Sequence, residues 1–363
     1  MTSSNASVPT GVAISPDSGE HWAAEGAWKV ADGIHRIPLP LPMDGLKAVN
    51  VYVVEGDDGL TMIDGGWAIP VARDLFERSL KSVGYAVGDI RRFLVTHVHR
   101  DHYTLAAVLG HENGADVALG REEESALDLL NNAEQLTESP FIPVLRTAGA
   151  LEVAEMWREG RDDEDLPDPA MWRYPTQWLE GDTRFDIGSR LLDAVHTPGH
   201  TPGHYVYADS AAGLLFAGDH VLPTITPSIG FTMPAVEQPL GDFLSSLARV
   251  RSLPDLRILP AHGPVAPSSY TRVDELLTHH ETRLDLCRQS VRSRGEVTSE
   301  MVAGDLGWTR HERAYADLDP FNQGMAAMET KAHLDLLVAR GQATVDVRDG
   351  VWWYQPAAGD GTQ

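Results

Sequence analysis

The chain has 363 residues, 42% of them hydrophobic, which is enough for one large domain with a buried core and a smaller module beside it. Its formal net charge of -24 repels the phosphate backbone of nucleic acids and therefore argues against a nucleic-acid-binding function. A single cysteine excludes a disulfide framework and fits a reducing, cytoplasmic compartment.

The beginning of the chain, residues 1–26, is predicted to be a flexible tail. It is rich in serine, proline and glycine, and it has neither a basic start nor the apolar stretch of a secretory signal peptide. No apolar run elsewhere has the length that a membrane span requires. We therefore expect a cytoplasmic protein that has no membrane segment.

Strands are predicted where the folded region begins. Residues 33–40 and 49–54 are rich in apolar and β-branched residues, and a hairpin turn at 56–59 leads into a further strand over 60–66. Asp64 lies near the end of this hairpin, where its carboxylate either caps the turn or orients a nearby site. An amphipathic helix over 70–84 and a return to the sheet at 85–97 give the alternation of an α/β or α+β sandwich.

The segment from Thr96 to His102 has the sequence Thr-His-Val-His-Arg-Asp-His, and it follows an apolar strand and precedes a helix. Its three imidazoles and one carboxylate are too close together to be packed away as core side chains. Imidazole and carboxylate donors suit a borderline divalent ion, zinc first, with iron or manganese also accepted. A histidine-rich surface turn is the alternative, and it is weakened by matching donors farther along the chain.

An acidic region follows the first motif. Residues 121–166 carry thirteen acidic residues against four arginines, yet apolar residues recur through them at helical spacing. We therefore predict a helical insertion over 121–178 and not a disordered segment. It either covers the site as a lid or packs on the outside of the domain.

Further donors follow three later apolar segments. His196, His200 and His204 lie in a loop stiffened by two Pro-Gly pairs, while Asp219 and His262 each come directly after an apolar strand. Each donor thus lies just past the C-terminal end of a predicted strand. This repeated placement is what a single site at one edge of a sheet requires.

These motifs make residues 27–265 resemble the metallo-β-lactamase-fold hydrolases, in particular their glyoxalase II-like metal motifs. The resemblance implies an αββα sandwich of the α+β class over 27–266. It also implies two metal ions, a first held by His97, His99 and His200, and a second held by Asp101, His102 and His262, with Asp219 between them. His200 is chosen over His204 because the family ligand is the histidine of the first Pro-Gly-His. The residues expected to support the site or line its pocket are Asp64, Tyr103, His196 and His204.

Two differences between this sequence and known groups of the family reduce the number of possible activities. True β-lactamases of this fold lack an aspartate at the position of Asp219, and some of them use a cysteine as a metal ligand. The only cysteine of this chain, Cys287, lies outside every motif. The flavin-linked di-iron members have a glutamate where this chain has His99. The resemblance therefore favours neither antibiotic hydrolysis nor redox use of two irons.

A proline-containing linker at 264–267 precedes a C-terminal module over 267–363. Helices are predicted over 270–293, from the capping residue Thr298 to about Gly307, and along a third apolar stripe that includes Met325 and Leu336. A hairpin at 344–354 follows. This winged-helix-like module resembles the one in the branch that contains β-lactamase-like protein 2, whose members cut RNA or hydrolyse acyl thioesters.

The charge of the C-terminal module bears on that choice. Residues 270–363 carry ten lysines and arginines against fifteen acidic residues, the opposite of a nucleic-acid surface. The module is therefore expected to shape a pocket or a homodimer contact. A small-molecule substrate is the expected partner.

The expected activity is hydrolysis of a thioester or activated ester, such as an acyl-CoA or a glutathione thioester. A hydroxide bridging two metal ions would be the nucleophile, oriented by Asp101 and Asp219. A thiolate leaves without a proton, and no proton donor other than the histidines stands out in the motifs. Lactone hydrolysis, RNA cleavage, sulfur dioxygenation at a single iron and a non-catalytic scaffold remain alternatives.

Overall fold

The computed structural model describes residues 21–42, 45–160, 167–309 and 311–357. Most of the predicted tail at 1–26 and the acidic residues 162–165 lie outside these ranges. The strands are β1 Trp28–Ala31, β2 Ile34–Pro40, β3 Ala48–Gly56, β4 Gly59–Ile63, β5 Ile90–Leu94, β6 Asp116–Gly120, β7 Gln177–Leu179, β8 Thr183–Asp186, β9 Leu191–His196, β10 Tyr205–Asp209, β11 Leu214–Gly218, β12 Arg257–Pro260, β13 Ala343–Arg348 and β14 Val351–Pro356. The helices are α1 Pro70–Ser82, α2 Arg100–Asn113, α3 Glu124–Asn131, α4 Phe141–Thr147, α5 Leu151–Glu159, α6 Pro239–Ser252, α7 Ser269–Arg294, α8 Ser299–Asp305 and α9 Pro320–Ala339.

Two sheets pack face to face in the middle of the molecule. The first has the order β1-β2-β3-β4-β5-β6-β7, and the second has the order β12-β11-β10-β9-β8. The layer between them is apolar and aromatic, with Tyr52 and Phe216 in edge-to-face contact at a centroid distance of 5.3 Å. Both sheets therefore bury their inner faces in one shared core.

Helices cover the outer faces of both sheets. Helices α1, α2 and α3 pack on the first sheet through residues such as Phe76, Leu109 and Leu127. Helices α6, α7 and α9 cover the second sheet through a cluster that includes Phe243 and Leu284. This confirms the predicted αββα sandwich of the α+β class.

Parallel strands align the ends that carry the motifs. Strands β4, β5, β6 and β7 run parallel in the first sheet, and β11 and β12 run parallel in the second. The loops after β5, β11 and β12 can therefore meet at one edge of the sandwich. Strand β4 ends at Ile63, earlier than the predicted 66, because Asp64 has a φ of 59° that breaks the extended backbone.

The acidic insertion joins the sandwich to the C-terminal module. Its helices α4 and α5 pack against α9, and Trp157 Nε1 donates to the Pro320 carbonyl at 2.9 Å. Strand β7, at the end of the predicted helical insertion, instead adds an edge strand to the first sheet.

The C-terminal module has the predicted order of helices and hairpin, with α7, α8 and α9 followed by β13 and β14. Residues of α7 and α9, such as Leu284 and Leu334, belong to the same buried cluster as the second sheet. Within the ranges that the structure describes, no helix is long and apolar enough to cross a membrane.

Candidate metal centre

The predicted ligands converge at the edge of the sandwich where the strand ends meet. His97, His99, His200 and Asp219 form one group, and Asp101, His102 and His262 form a second; within each group the possible ligand atoms lie within 4.8 Å of one another. All seven residues of the predicted ligand set are therefore in these two groups. His99 and Asp101 are partly exposed while the other members are buried, so the centre opens to solvent on their side.

The spacing of these atoms fits a small cation. Ligand atoms about 2.1 Å from a tetrahedral ion lie about 3.4 Å from each other. His262 Nε2 is 3.4 Å from both Asp101 Oδ2 and Asp219 Oδ1, and His200 Nε2 is 3.4 Å from Asp219 Oδ2. The Nε2 atoms of His102 and His262 and the Oδ1 atom of Asp219 are buried without a hydrogen-bond partner among the described residues. A bound cation would satisfy all three.

Hydrogen bonds fix the far sides of the His200 and His262 rings. The Nδ1 atom of His200 donates to the Ser228 carbonyl at 2.9 Å, and that of His262 donates to the Ala48 carbonyl at 2.8 Å. Because a carbonyl only accepts, the proton lies on Nδ1 and the lone pair on Nε2 faces the centre.

Asp64 forms buried hydrogen bonds with Thr96 and His102 of the first motif. Its carboxylate accepts the Thr96 backbone N–H at 2.7 Å and the Thr96 hydroxyl at 3.0 Å, and it pairs with His102 Nδ1 at 2.8 Å. Since the Thr96 hydroxyl donates to Asp64, it accepts from His97 Nδ1 at 3.0 Å. One buried aspartate thus holds two histidines of the predicted ligand set, one directly and one through Thr96, which is more than a turn cap does.

His204 takes a different position from His200. Its Nε2 accepts the backbone N–H of Asp219 at 3.2 Å, and its Nδ1 pairs with Thr197 Oγ1 at 3.0 Å. Both ring nitrogens therefore contact groups other than the possible ligand atoms. Gly218, with a φ of 51°, makes this contact possible, because a Cβ there would lie 2.7 Å from His204 Nε2.

Burial and neighbouring charges determine the protonation of the centre. Burial lowers the pKa of His99 to about 3 and also lowers that of His200, so both rings are neutral, as ligands must be. Burial opposes the charged form of His102, but the surrounding carboxylates, Asp101 first, raise its pKa to about 10. The carboxylates therefore hold a positive charge at the place where the donor set would bind a metal cation.

The remaining predicted residues lie outside the two groups. His196 Nε2 donates to the Pro202 carbonyl at 2.9 Å, on the outer side of its loop. Tyr103 is buried, its hydroxyl donates to the Arg173 carbonyl, and its ring lies 6.4 Å from that of Trp172. Tyr103 therefore anchors the end of the insertion to α2.

The sequence motifs do not mark three further residues near the centre, Ala48, His220 and Ser228. Ser228 and Ala48 act through backbone carbonyls, which have no signature in the sequence. His220 directly follows Asp219 and is fully buried, with its ring 5.9 Å from that of His204. Its position next to a ligand was the available signal.

Comparisons with known proteins agree with this geometry. The family model of the metallo-beta-lactamase superfamily matches residues 44–262. The probable metallo-hydrolase YqjP of Bacillus subtilis is 24% identical over 316 residues, which are 85% of this chain and 92% of that protein. The atrochrysone carboxyl ACP thioesterase of Aspergillus fumigatus is 25% identical over 293 residues, which are 77% of this chain and 56% of that protein. The crystal structure of a metallo-beta-lactamase family protein from Thermus thermophilus covers 90% of this chain and all (100%) of its own, with a TM-score of 0.73 and 27% identity.

Proposed function

The chain belongs to the metallo-β-lactamase superfamily and is a metal-dependent hydrolase, and we propose that it uses two divalent metal ions, zinc first, to hydrolyse a thioester or a comparably activated ester. The observation that carries the two-metal proposal is the position of Asp219. Its Oδ2 faces His200 at 3.4 Å, whereas its Oδ1 faces His262 at 3.4 Å and His102 at 3.7 Å. One carboxylate of the first group thereby also faces two histidines of the second group.

In this proposal the ligand residues are assigned to two metal ions. When bound, the metal ions supply a nucleophilic water at neutral pH and a Lewis acid for the carbonyl oxygen. His97, His99 and His200 would hold one ion, and Asp101, His102 and His262 the other. Asp219 stays anionic, since its histidine neighbours, His262 first, outweigh burial and hold its carboxyl pKa well below the usual range. A substrate would enter beside His99 and Asp101, the most open members of the centre.

The preference for a thioester follows from the leaving group. A thiolate leaves without being protonated, whereas an ordinary alkoxide needs a general acid. Tyr103, the phenol next to the first motif, is turned away and bound to the Arg173 carbonyl. The thioesterase among the similar proteins supports the same substrate class.

A screen of purified, zinc-loaded protein tests the proposal. The substrates would be acyl-CoA thioesters, glutathione thioesters, lactones and oligoribonucleotides. We expect thioesters to give the highest kcat/KM, and lactones to come next because they share the carbonyl chemistry. Rapid RNA cleavage without thioester hydrolysis would overturn the substrate class, and full activity with less than one metal per chain would overturn the two-metal site.

We also propose that the insertion over 121–178 forms one wall of the substrate entrance. Phe141 of α4 stacks on Phe231 with centroids 4.1 Å apart. Phe231 lies three residues after Ser228, whose carbonyl holds His200. Replacing Phe231 by Ala should therefore raise KM for long acyl chains more than it changes metal content. Equal kinetics across acyl lengths would assign the insertion a purely external role.

A further inference from the structure

A buried carboxyl group lies between the two histidine loops. Glu123 ends the turn that follows β6, and its side chain is fully buried, at 0% exposure. Its neighbours Glu122 and Glu124 are exposed and half-buried, respectively, so burial separates Glu123 from the rest of the acidic run. Burying a carboxyl group costs free energy unless its oxygens are bound, so its contacts indicate its role.

Glu123 lies beside both loops. The Thr201 hydroxyl donates to Oε1, whereas Oε2 is buried without a hydrogen-bond partner among the described residues. The backbone N–H groups of Gly203 and Val98 favour the charged form of the carboxyl group and lower its pKa. Thr201 and Gly203 lie in the loop between His200 and His204, and Val98 lies between His97 and His99. One side chain therefore lies next to the loops that carry the three proposed ligands of the first metal ion.

The loops approach Glu123 too closely for other residues at two positions. A Cβ on Gly203 would lie 2.6 Å from Glu123 Cγ, and a Cβ on Gly120 would lie 2.1 Å from the Gly203 carbonyl oxygen. The second Pro-Gly pair thus lets its loop dock onto the end of β6. Burial raises the pKa of Glu123 to about 7, while the Thr201 hydroxyl and the two N–H groups act in the opposite direction.

We propose that Glu123 is a positioning residue that fixes the distance between the loop of His97 and His99 and the loop of His200, and thereby sets the affinity of the first metal site. The inference rests on the proposed two-metal function. It assigns no chemical step to Glu123, which touches neither group of ligands directly. The effect is transmitted through Thr201, next to His200, and through Val98, between the other two ligands.

Glu123→Gln is the sharpest test. Glutamine has the same shape, but its NH₂ group would be buried either at the position of Oε1, where it cannot accept from the Thr201 hydroxyl, or at the position of Oε2, which has no hydrogen-bond partner among the described residues. We expect the affinity for zinc, measured by competition with a chelator, to fall about 10- to 100-fold, as for other residues that orient ligands. The matched control is Glu122→Gln, which removes the same charge from the exposed adjacent residue and should change the affinity by no more than about twofold.

The melting temperature of the metal-free variants separates positioning from general stability. A positioning role lowers zinc affinity in protein that is fully folded at the assay temperature. Thr201→Val, which removes the hydroxyl donor from the opposite side, should weaken zinc binding in the same direction and add little to Glu123→Gln in the double variant.

Three outcomes would overturn the inference. The first is that either variant is folded and binds zinc as tightly as the unchanged protein does, and the second is that both fail to fold while Glu122→Gln folds. The third is a double variant whose loss is the full sum of the two single losses. An unchanged protein that binds no zinc would instead defeat the two-metal proposal, so the two failures are distinguishable.

Discussion

Buried histidines occur in two regions of this molecule, the metal centre and the C-terminal module, and their surroundings differ. In the metal centre, His102 lies among Asp64, Asp101 and Asp219 at 2.8, 3.6 and 3.7 Å. In the C-terminal module, His280 of α7 and His333 of α9 are equally buried, and their rings are joined by an Nδ1 to Nε2 contact of 3.2 Å.

His102 and His280 differ in whether carboxylates lie beside the imidazole ring. Burial opposes the charged form of His102, yet the carboxylates, Asp101 first, raise its pKa to about 10. Burial first, and the neighbouring His333 second, lower the pKa of His280 to about 2. Burial alone therefore leaves an imidazole neutral and structural, and adjacent carboxylates turn the same side chain into part of a cation site.

The largest contrast is expected from removing one histidine of each region. His97→Ala should lower turnover by about 10³-fold or more, since a lost ligand forfeits several kcal/mol of transition-state stabilisation. Asp101→Ala and Asp219→Ala should behave alike. His280→Ala should keep the metal content and lower only the free energy of unfolding. Metal analysis, kinetics and urea unfolding of each variant measure the three quantities.

A loss of bound metal in His280→Ala would contradict the conclusion that the histidines of the C-terminal module are only structural. It would mean that the C-terminal pair supports the centre through Phe243, whose ring lies 5.4 Å from His280 and 5.0 Å from His220.

An intermediate effect is expected at His204, which is buried near the centre and whose Nε2 accepts the backbone N–H of Asp219. His204→Ala should lower zinc affinity or turnover about 10- to 100-fold, because Asp219 loses one anchor and remains in place. His200→Ala is the matched comparison and should remove the first metal. If His204→Ala released that metal and His200→Ala retained it, the assignment of the two Pro-Gly-His motifs would have to be reversed.

Residues that act through their side-chain type could be found in the sequence. The donors in 97–102, the histidines in 196–204, Asp219 and His262 follow apolar strands, so pattern and chemistry located these clusters. The family resemblance then selected His200 among the histidines of its loop. The carbonyls of Ser228 and Ala48 could not be found, because every residue has one. Glu123 was hidden for another reason: the run Glu122-Glu123-Glu124 looks solvent-exposed, and only the docking of the second loop buries its middle residue.

Local sequence patterns also determined which helices and strands could be predicted. Alternating strands and helices predicted an α/β or α+β sandwich, and the family resemblance implied its αββα order. Neither predicted α6, although Leu240, Phe243, Leu247 and Val250 recur at helical spacing after Pro239. Strand β7 has only three residues, too few for a two-residue period to be recognised, and it is ordered by pairing with β6.

A smaller effect is expected from pH. His280 stays neutral in the folded protein, whereas the unfolded chain takes up a proton below a pKa of about 6.5. Stability is therefore lost as the pH falls below about 6.5, and between pH 7 and pH 5 this one residue contributes a loss of about 2 kcal/mol.

His280→Asn isolates this contribution, because the asparagine NH₂ can still donate to His333. In urea unfolding of metal-free protein, the variant should lose about 2 kcal/mol less than the unchanged chain between pH 7 and pH 5. Identical pH dependences would show that His280 is protonated in the folded state.

The smallest effect is expected at His196, a histidine close to the metal loops in sequence that has neither full burial nor a ligand contact. Its side chain is 19% exposed, its Nε2 donates to the Pro202 carbonyl at 2.9 Å, and Glu122 lies 3.7 Å away. His196→Ala removes one side-chain hydrogen bond at a partly exposed position, so the free energy of unfolding should fall by about 1 kcal/mol. Zinc affinity should stay within about twofold of the unchanged protein. A loss of metal as large as that in His204→Ala would show that the hydrogen bond from His196 to Pro202 stabilises the metal-binding position of the 196–204 loop. Proximity in sequence, in addition to the carboxylates, would then determine which histidines support the centre.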